Sequence, residues 1–408
     1  MTPRTRILVS GVVLGQAMGG VSRRARELLP RVAALLAERD VDLAVLEGRV
    51  PLPFALPAWI ERIASRVPAR PPIVRAVAEA SALQGALREA ADRGAPFALL
   101  DFGHLPVPRG LHVPYSLTIH DLRHLALRHT PMSRRLFAGT VIGRAVKAAS
   151  VVVAPSESVR AELAQRWDLE PERTLVVPNA ADHFEPLPRR AAAGAPLLHV
   201  GHIEPRKNLE LLLRALAHDP GLPPLVLAGA PKGDEEERLR TLAAALGVAE
   251  RVTFLGPFED ARLPELLAEA ACVVMPSRIE GFGIPVLEAL RAGAPLAIAE
   301  TAVLREVAGP GVPGFSVEDQ SSCAAAIRTA IAQGGASGVA RATAYSWDEA
   351  ARAQVDAWQR ALTLPPPTPA RRPPLPPRPG RGAALPLRPW PPFRPGPHRD
   401  SPNDENES

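Results

Sequence analysis

Short apolar runs alternate with amphipathic helical stretches along most of this chain, and the alternation stops once and then restarts. Arg6-Ile7-Leu8-Val9 reads as a first strand, 11–20 as a glycine-bearing loop, and 21–39 as a helix with Leu28, Leu29, Val32, Leu35 and Leu36 along one side. Strands are expected next at 41–46, 97–101, 113–119, 151–154 and 174–177, with helices at 76–93, 134–149 and 157–167, the last capped by Ser156. The Pro-rich stretch 50–75 interrupts this order and is expected to hold only a short helix around Trp59-Ile60-Glu61-Arg62. After a Pro/Ala/Gly/Arg-rich segment at 187–196, strands are expected at 197–200, 225–229, 251–256, 271–275 and 295–299. Helices are expected between them, one with Asn208 as its N-cap, and closing helices at 321–333 and 347–362. Such alternation builds a parallel sheet covered by helices on both faces. Two runs of it imply an α/β protein of two Rossmann-like, doubly wound lobes facing a cleft. The expected boundaries are a first lobe at 1–186, a linker at 187–196, a second lobe at 197–345, a closing helix at 346–362, and a disordered Pro/Arg-rich tail at 363–408.

The tail stands apart by composition. Of 47 prolines, 16 follow Leu364, a bias that leaves too few apolar side chains for a packed core. The two cysteines, Cys272 and Cys323, are too few for a disulfide framework or a four-cysteine zinc site. No apolar run reaches the roughly 18–20 residues that span a bilayer, and nothing resembles a signal peptide, so the expected compartment is the cytoplasm. The formal charge of +5 conceals an asymmetry: residues 1–190 hold 26 Lys/Arg against 18 Asp/Glu, and 191–364 hold 15 against 21. The basic half is where an anionic partner is expected, with a phosphorylated acceptor, the inner face of a membrane and nucleic acid as the candidates. Lysine is scarce: only Lys147, Lys207 and Lys232 occur.

Chemistry is concentrated in the second half. In Glu280-Gly281-Phe282-Gly283-Ile284-Pro285-Val286-Leu287-Glu288, two carboxylates flank a Gly-Phe-Gly turn and a helix start. Glycine lets backbone approach a ligand, and the N–H groups of Gly281 to Ile284 at the helix start suit an anion. Taken singly, each glutamate reads equally well as a surface carboxylate. Earlier in this half, Gly201 ends a strand, and Arg206 and Lys207 place two adjacent cations in the loop after it, suited to a diphosphate. In the first half, His120 follows a strand and points into the crevice of such a sheet, and Gly19-Gly20 can bring backbone N–H groups to a phosphate. No spacing of histidines suggests a metal site.

Val200-Gly201-His202-Ile203-Glu204-Pro205-Arg206-Lys207-Asn208 and Glu280 to Glu288 resemble the two signatures of family 4 glycosyltransferases of GT-B fold, with a mannosyltransferase-like subgroup nearest. Thr118-Ile119-His120-Asp121, Ala154-Pro155-Ser156-Glu157-Ser158 and Pro178-Asn179-Ala180-Ala181-Asp182 resemble the family's first-lobe landmarks in order, so the similarity covers about residues 6–362. The resemblance implies a retaining, metal-independent transfer of a hexose, mannose favoured, from a nucleotide-diphosphate sugar to a glycan or lipid-linked acceptor in polysaccharide or glycolipid assembly. It needs no cofactor. By the same resemblance Arg206 and Lys207 neutralise the leaving diphosphate and Glu280 contacts the transferred sugar. Glu288 holds the ribose, and Gly201, Gly281, Phe282, Gly283 and Ile284 line the donor. His120 lies at the reaction centre, and Gly19 and Gly20 border acceptor and phosphates. Two positions depart from the pattern: His202 stands where many relatives have Arg, and Asn179-Ala180 replaces an Asn-Gly turn. Two other functions compete. One is a non-catalytic GT-B scaffold or sugar-nucleotide sensor, against which the intact Glu280, Lys207 and His120 argue. The other is nucleic-acid binding by the basic half and tail, which lack aromatics interleaved for base stacking.

Overall fold

The computed structural model describes residues 4–15, 19–122 and 132–365. The chain divides into two compact units, Met1–Thr368 and Pro369–Ser408, and the second lies outside the described residues, as does nearly all of the expected tail. The tail's first residues belong to the folded part: Thr363 is the last residue of the closing helix, and the Pro365 carbonyl accepts from Arg173 Nη2 at 2.7 Å.

Two parallel sheets carry the fold. The first holds β1 (Thr5–Gly11), β2 (Val41–Glu47), β3 (Glu61–Ile63), β4 (Leu99–Phe102), β5 (Tyr115–Thr118), β6 (Val151–Ala154) and β7 (Thr174–Val176), in the order β3-β2-β1-β4-β5-β6-β7. The second holds β8 (Leu197–Val200), β9 (Leu225–Ala228), β10 (Val252–Gly256), β11 (Cys272–Met275), β12 (Leu296–Ala299) and β13 (Gly314–Phe315), in the order β10-β9-β8-β11-β12-β13. Strands β4, β6, β11 and β12 are buried along their whole length, which is why they read as unbroken apolar runs rather than alternating ones. Strand order reverses between β1 and β4 and again between β8 and β11. Ligand crevices of doubly wound sheets lie at such reversals, beyond the carboxyl ends of the strands. The loops after β1, β8 and β11 lie there, and each carries residues singled out above.

Helices α1 (Gly20–Ala37), α2 (Pro72–Asp92), α3 (Met132–Ala148) and α4 (Glu157–Trp167) belong to the first lobe. The second holds α5 (Leu209–His218), α6 (Glu235–Ala245), α7 (Leu263–Glu269), α8 (Ile284–Arg291), α9 (Ala302–Ala308), α10 (Gln320–Gln333) and α11 (Val339–Thr343). The closing helix, α12 (Trp347–Thr363), returns to the first lobe and packs on α1 and on β4, β5 and β6. Trp347 and Trp358 are buried there, and the Asp182 carboxylate takes the Trp347 backbone N–H at 3.0 Å where the chain crosses back.

Three local expectations are corrected. The segment around Trp59–Arg62 forms edge strand β3, parallel to β2, not a short helix. Three residues are too few for a period to distinguish the two, and a cross-strand bond from Arg62 Nη2 to Glu47 at 2.6 Å favours the strand. Helix α2 begins at Pro72, four residues before the expected start, because proline suits a first helical turn. Asn208 does not cap α5 with its side chain: it adopts φ 55°, and its Nδ2 donates to the carbonyls of Pro276 and Val317, tying the cationic loop to two others.

Candidate functional site

The cationic loop is short because Pro205–Lys207 forms a single 3-10 turn after β8. Gly201 sits at φ 145°, which favours glycine, and a Cβ there would make only ordinary contact, at 3.5 Å, with Lys207 Nζ and His199 Nε2. Lys207 is 5% exposed and donates from Nζ to Glu280 Oε1 at 2.5 Å. Arg206 Nη1 donates to Glu280 Oε2 at 3.0 Å and to the Ile279 carbonyl at 3.1 Å, and its Nη2 pairs with Glu204 at 2.7 Å. Lys232 adds a third cation, on Glu204 at 3.2 Å. Burial alone would raise the Glu280 pKa, but the charges of Lys207 and Arg206 outweigh it and hold the carboxyl at about 2. Glu280, expected at the sugar, is thus the counter-ion of both expected phosphate cations in the ligand-free chain. The three cations meet the carboxylates of Glu280 and Glu204, and the Asp121 charge also acts on Arg206.

His199 lies beneath this cluster, fully buried, with Nδ1 against the Val274 carbonyl at 3.1 Å. Burial, reinforced by Lys207, lowers its pKa to about 4. The unfolded chain therefore binds a proton that the folded chain refuses, and stability falls as pH drops from about 6.5 toward 4, by on the order of 3 kcal/mol. His199→Asn, which keeps a donor for Val274, is expected to flatten the urea-unfolding midpoint across that window.

The acidic stretch is placed by Gly281 and Gly283. A Cβ on Gly281 would lie 1.6 Å from the His120 carbonyl oxygen, so only glycine allows this approach of the two lobes. Gly283, at φ 88°, is the N-cap of α8, and Pro285 sits in its first turn. Phe282 is buried edge-on to Tyr345, and Ile284 is buried as well, so what these two can offer a ligand is backbone N–H. Glu288, one turn along α8, is 3% exposed. Its Oε1 lies 3.1 Å from His183 Nε2 and 3.9 Å from Arg23 Nε. Trp347 Nε1 donates to His183 Nδ1 at 3.4 Å, so neutral His183 carries its proton on Nε2 and donates it to Glu288.

Other contacts join the lobes at this crevice. Arg23 and Arg26 of α1 both bond Asp260, at 2.5 and 2.8 Å. Ser156 Oγ donates to the Gly281 carbonyl at 2.9 Å. Glu306 of α9 accepts the backbone N–H groups of Glu157 and Ser158, at 2.7 and 2.8 Å, and so caps a first-lobe helix from the second lobe. Glu306→Ala is expected to cost about 1–2 kcal/mol and to enlarge the radius of gyration in small-angle scattering; an unchanged radius would remove the latch.

On the first-lobe side, Gly19 is the N-cap of α1, Gly20 begins the helix, and a Cβ on Gly19 would lie 3.3 Å from the His202 ring. Burial and then Lys232 lower the His202 pKa, so this ring adds no charge at neutral pH. The His120 side chain lines a cavity with Ser10, Arg24, Asp101, Gln354 and Trp358. Arg24 is fixed there by Asn179 Oδ1 at 2.7 Å. The structure therefore gathers Arg206, Lys207, Glu280, Glu288, the 281–284 turn, His120 and Gly19 along one crevice. Sequence reasoning assigned no site role to Lys232, Glu204, His183, Arg23 or Asp260. Lysine scarcity marked Lys232 without placing it; Glu204 joins Arg206 and Lys232 within the second lobe, and the other three depend on pairings between lobes that local pattern does not encode.

Among the described residues no cluster of His, Cys, Asp or Glu could hold a metal ion, and no helix is long and apolar enough to cross a membrane. The family model for Glycosyltransferase Family 4 matches residues 18–183, and that for Glycosyl transferases group 1 matches residues 193–353. The chain is 33% identical over 276 residues to a D-inositol 3-phosphate glycosyltransferase of Geodermatophilus obscurus, a match covering 62% of this chain and 61% of the relative. The chain thus spans about three fifths of that relative's length. Among solved structures it is similar to sucrose-phosphate synthase from Thermosynechococcus elongatus, with a TM-score of 0.70 at 20% identity over 88% of this chain and 99% of that one. It is also similar to HepE of Anabaena in complex with UDP, with a TM-score of 0.55 at 20% identity over 87% and 95%. With matching models on both lobes and a two-sheet architecture shared with solved glycosyltransferases, the chain belongs to the family 4 glycosyltransferases of GT-B fold.

Proposed function

We propose that this chain transfers a hexose from a nucleoside-diphosphate sugar to a hydroxyl-bearing acceptor, with retention at the anomeric carbon and without a metal ion. The observation that carries this reading is the buried Arg206–Glu280–Lys207 cluster at the second lobe's strand-order reversal, facing the N-terminus of α1. Leaving-group charge develops on the diphosphate as the bond from C1 breaks. Arg206 and Lys207, preorganised in a site with little water, stabilise that charge without a divalent cation. Glu288, held by His183 at Oε1, presents its other oxygen to ribose hydroxyls. Glu280, released from its cations as the diphosphate takes them, is free to accept from sugar hydroxyls. The acceptor oxygen bonds to C1 on the face that the leaving group vacates, and its proton passes to a leaving phosphate oxygen. Burial raises the pKa of Asp101, which lines the cavity with His120, while the hydrogen bond it accepts from Trp358 Nε1 at 2.9 Å and the nearby Arg24 charge act the other way.

Mannose is the favoured sugar, on the sequence resemblance alone. The similarity to D-inositol 3-phosphate glycosyltransferases makes a cyclitol phosphate one acceptor to assay. The test is a thermal-shift panel of GDP-, UDP- and ADP-sugars, followed by turnover with whichever donor stabilises the fold. Stabilisation by one donor class with sugar release is expected. Binding without turnover would favour a sensor, and no stabilisation by any donor would overturn the reading.

A further inference from the structure

His202 stands in the cationic loop, and its ring makes no hydrogen bond among the described residues. The backbone sets its direction. Residues 201–203 run beside 228–232: the N–H groups of Gly201 and Ile203 donate to the Ala228 and Ala230 carbonyls at 2.9 and 3.0 Å, and the Lys232 N–H donates to the Ile203 carbonyl at 2.9 Å. In extended backbone, alternate side chains face opposite ways. Ile203 is fully buried in the core, so His202 and Glu204 turn the other way, where Glu204 meets Lys232 and Arg206. The half-buried His202 ring there meets the first lobe, 3.3 Å from where a Cβ on Gly19 would be, at the N-terminus of α1. That helix runs 18 residues with no side-chain cap and no carboxylate in its first turn, so the end facing the ring is positive. Burial, then Lys232, Lys207 and Arg206, disfavour a proton on the ring, while Glu204 acts the other way. These cations are the ones that a diphosphate would neutralise. An anion placed among them turns repulsion of the ring's proton into attraction.

We propose that His202 takes up one proton from solvent as the diphosphate of a nucleotide sugar binds, and that the resulting imidazolium is a further cation on it. The inference rests on the donor reading of Arg206 and Lys207 and adds a dependence on pH. Donor affinity rises as pH falls, because the bound state holds a proton that the free state does not. Arginine at this position would keep its charge throughout and remove that dependence.

The test is isothermal titration of the full chain with GDP-mannose, UDP-glucose and ADP-glucose in turn, without acceptor. Nucleotide sugars suit it because neither phosphate titrates near neutrality, whereas a terminal phosphate does, at about pH 6. Titrations in buffers of low and high ionisation enthalpy, PIPES and imidazole, count the protons taken up. Uptake of about half a proton or more per donor bound is expected in the wild type at about pH 6.5, and under about a tenth in His202→Asn. The wild type should also bind donor at least about threefold more tightly at about pH 6 than at about pH 8, with His202→Arg varying by less than about twofold over that span. His202→Arg keeps the test decisive should His202→Asn bind too weakly to titrate. Donor binding without proton uptake in the wild type overturns the proposal and leaves the transferase reading standing. So does uptake that persists in His202→Asn, which would assign the proton to another group such as His120, and so does a wild-type pH dependence in His202→Arg. No binding of any of the three sugars would count against the proposed function, and this inference would fall with it.

Discussion

Glu280→Ala is expected to lower the stability of the ligand-free protein by about 3–5 kcal/mol, as well as to abolish sugar transfer. Glu280 bonds both Arg206 and Lys207, and Lys207 is 5% exposed with Glu280 as its ion-pair partner. Removing the carboxylate leaves a buried ammonium uncompensated, whereas Arg206 keeps Glu204. A nucleoside diphosphate would bring replacement charge to the same spot. The variant should therefore gain more from it in a thermal-shift assay than the wild type does, an inverted response for a residue assigned to donor binding. The pH dependence points the same way. The folded carboxyl titrates at about 2, against 4.5 for an unperturbed glutamate. Its stabilisation is therefore complete above about 4.5 and lost as pH falls toward 2. Urea-unfolding midpoints across that range should converge for wild type and Glu280→Ala at the acid end. Equal midpoints at neutral pH would dismantle the cluster as described.

Lys207→Ala should show the opposite balance. Glu280 retains Arg206 as a partner, so folding is little affected. Transfer loses a preorganised cation at the leaving diphosphate, a class of loss worth about 10²–10³-fold in kcat. Steady-state kinetics with the donor chosen by thermal shift decide it. Unchanged kcat with a raised KM would mean that Lys207 only binds donor and does not stabilise the departing charge.

Much of this was legible in the chain. The restart of strand–helix alternation after 187–196 gave both lobes, because a strand buried on both faces leaves an unbroken apolar run such as Cys272–Met275. Gly281 and Gly283 were conspicuous because no side chain fits at the first and the second sits at positive φ. Arg206-Lys207 and Glu280 were readable as chemistry but not as a mutual ion pair, since 73 positions separate Lys207 from Glu280 and only the register of β8 beside β11 brings them together. Edge strand β3 was hidden by its three residues, and β13 by its two. The return of α12 onto the first lobe left no local trace either. Its amphipathic pattern specified a buried face, not which lobe would cover it, and the cavity wall at Gln354 and Trp358 went unseen with it.

Arg206 and Lys207 are proposed as the seat of a donor diphosphate. Isothermal titration of wild type and Lys207→Ala with nucleoside diphosphates and their monophosphates, using the base that thermal shift selects, tests that assignment. The expected result is at least tenfold weaker diphosphate binding by the variant, about 1.4 kcal/mol, with monophosphate affinity unchanged. Equal loss for both nucleotides, or no loss for either, would contradict the claim.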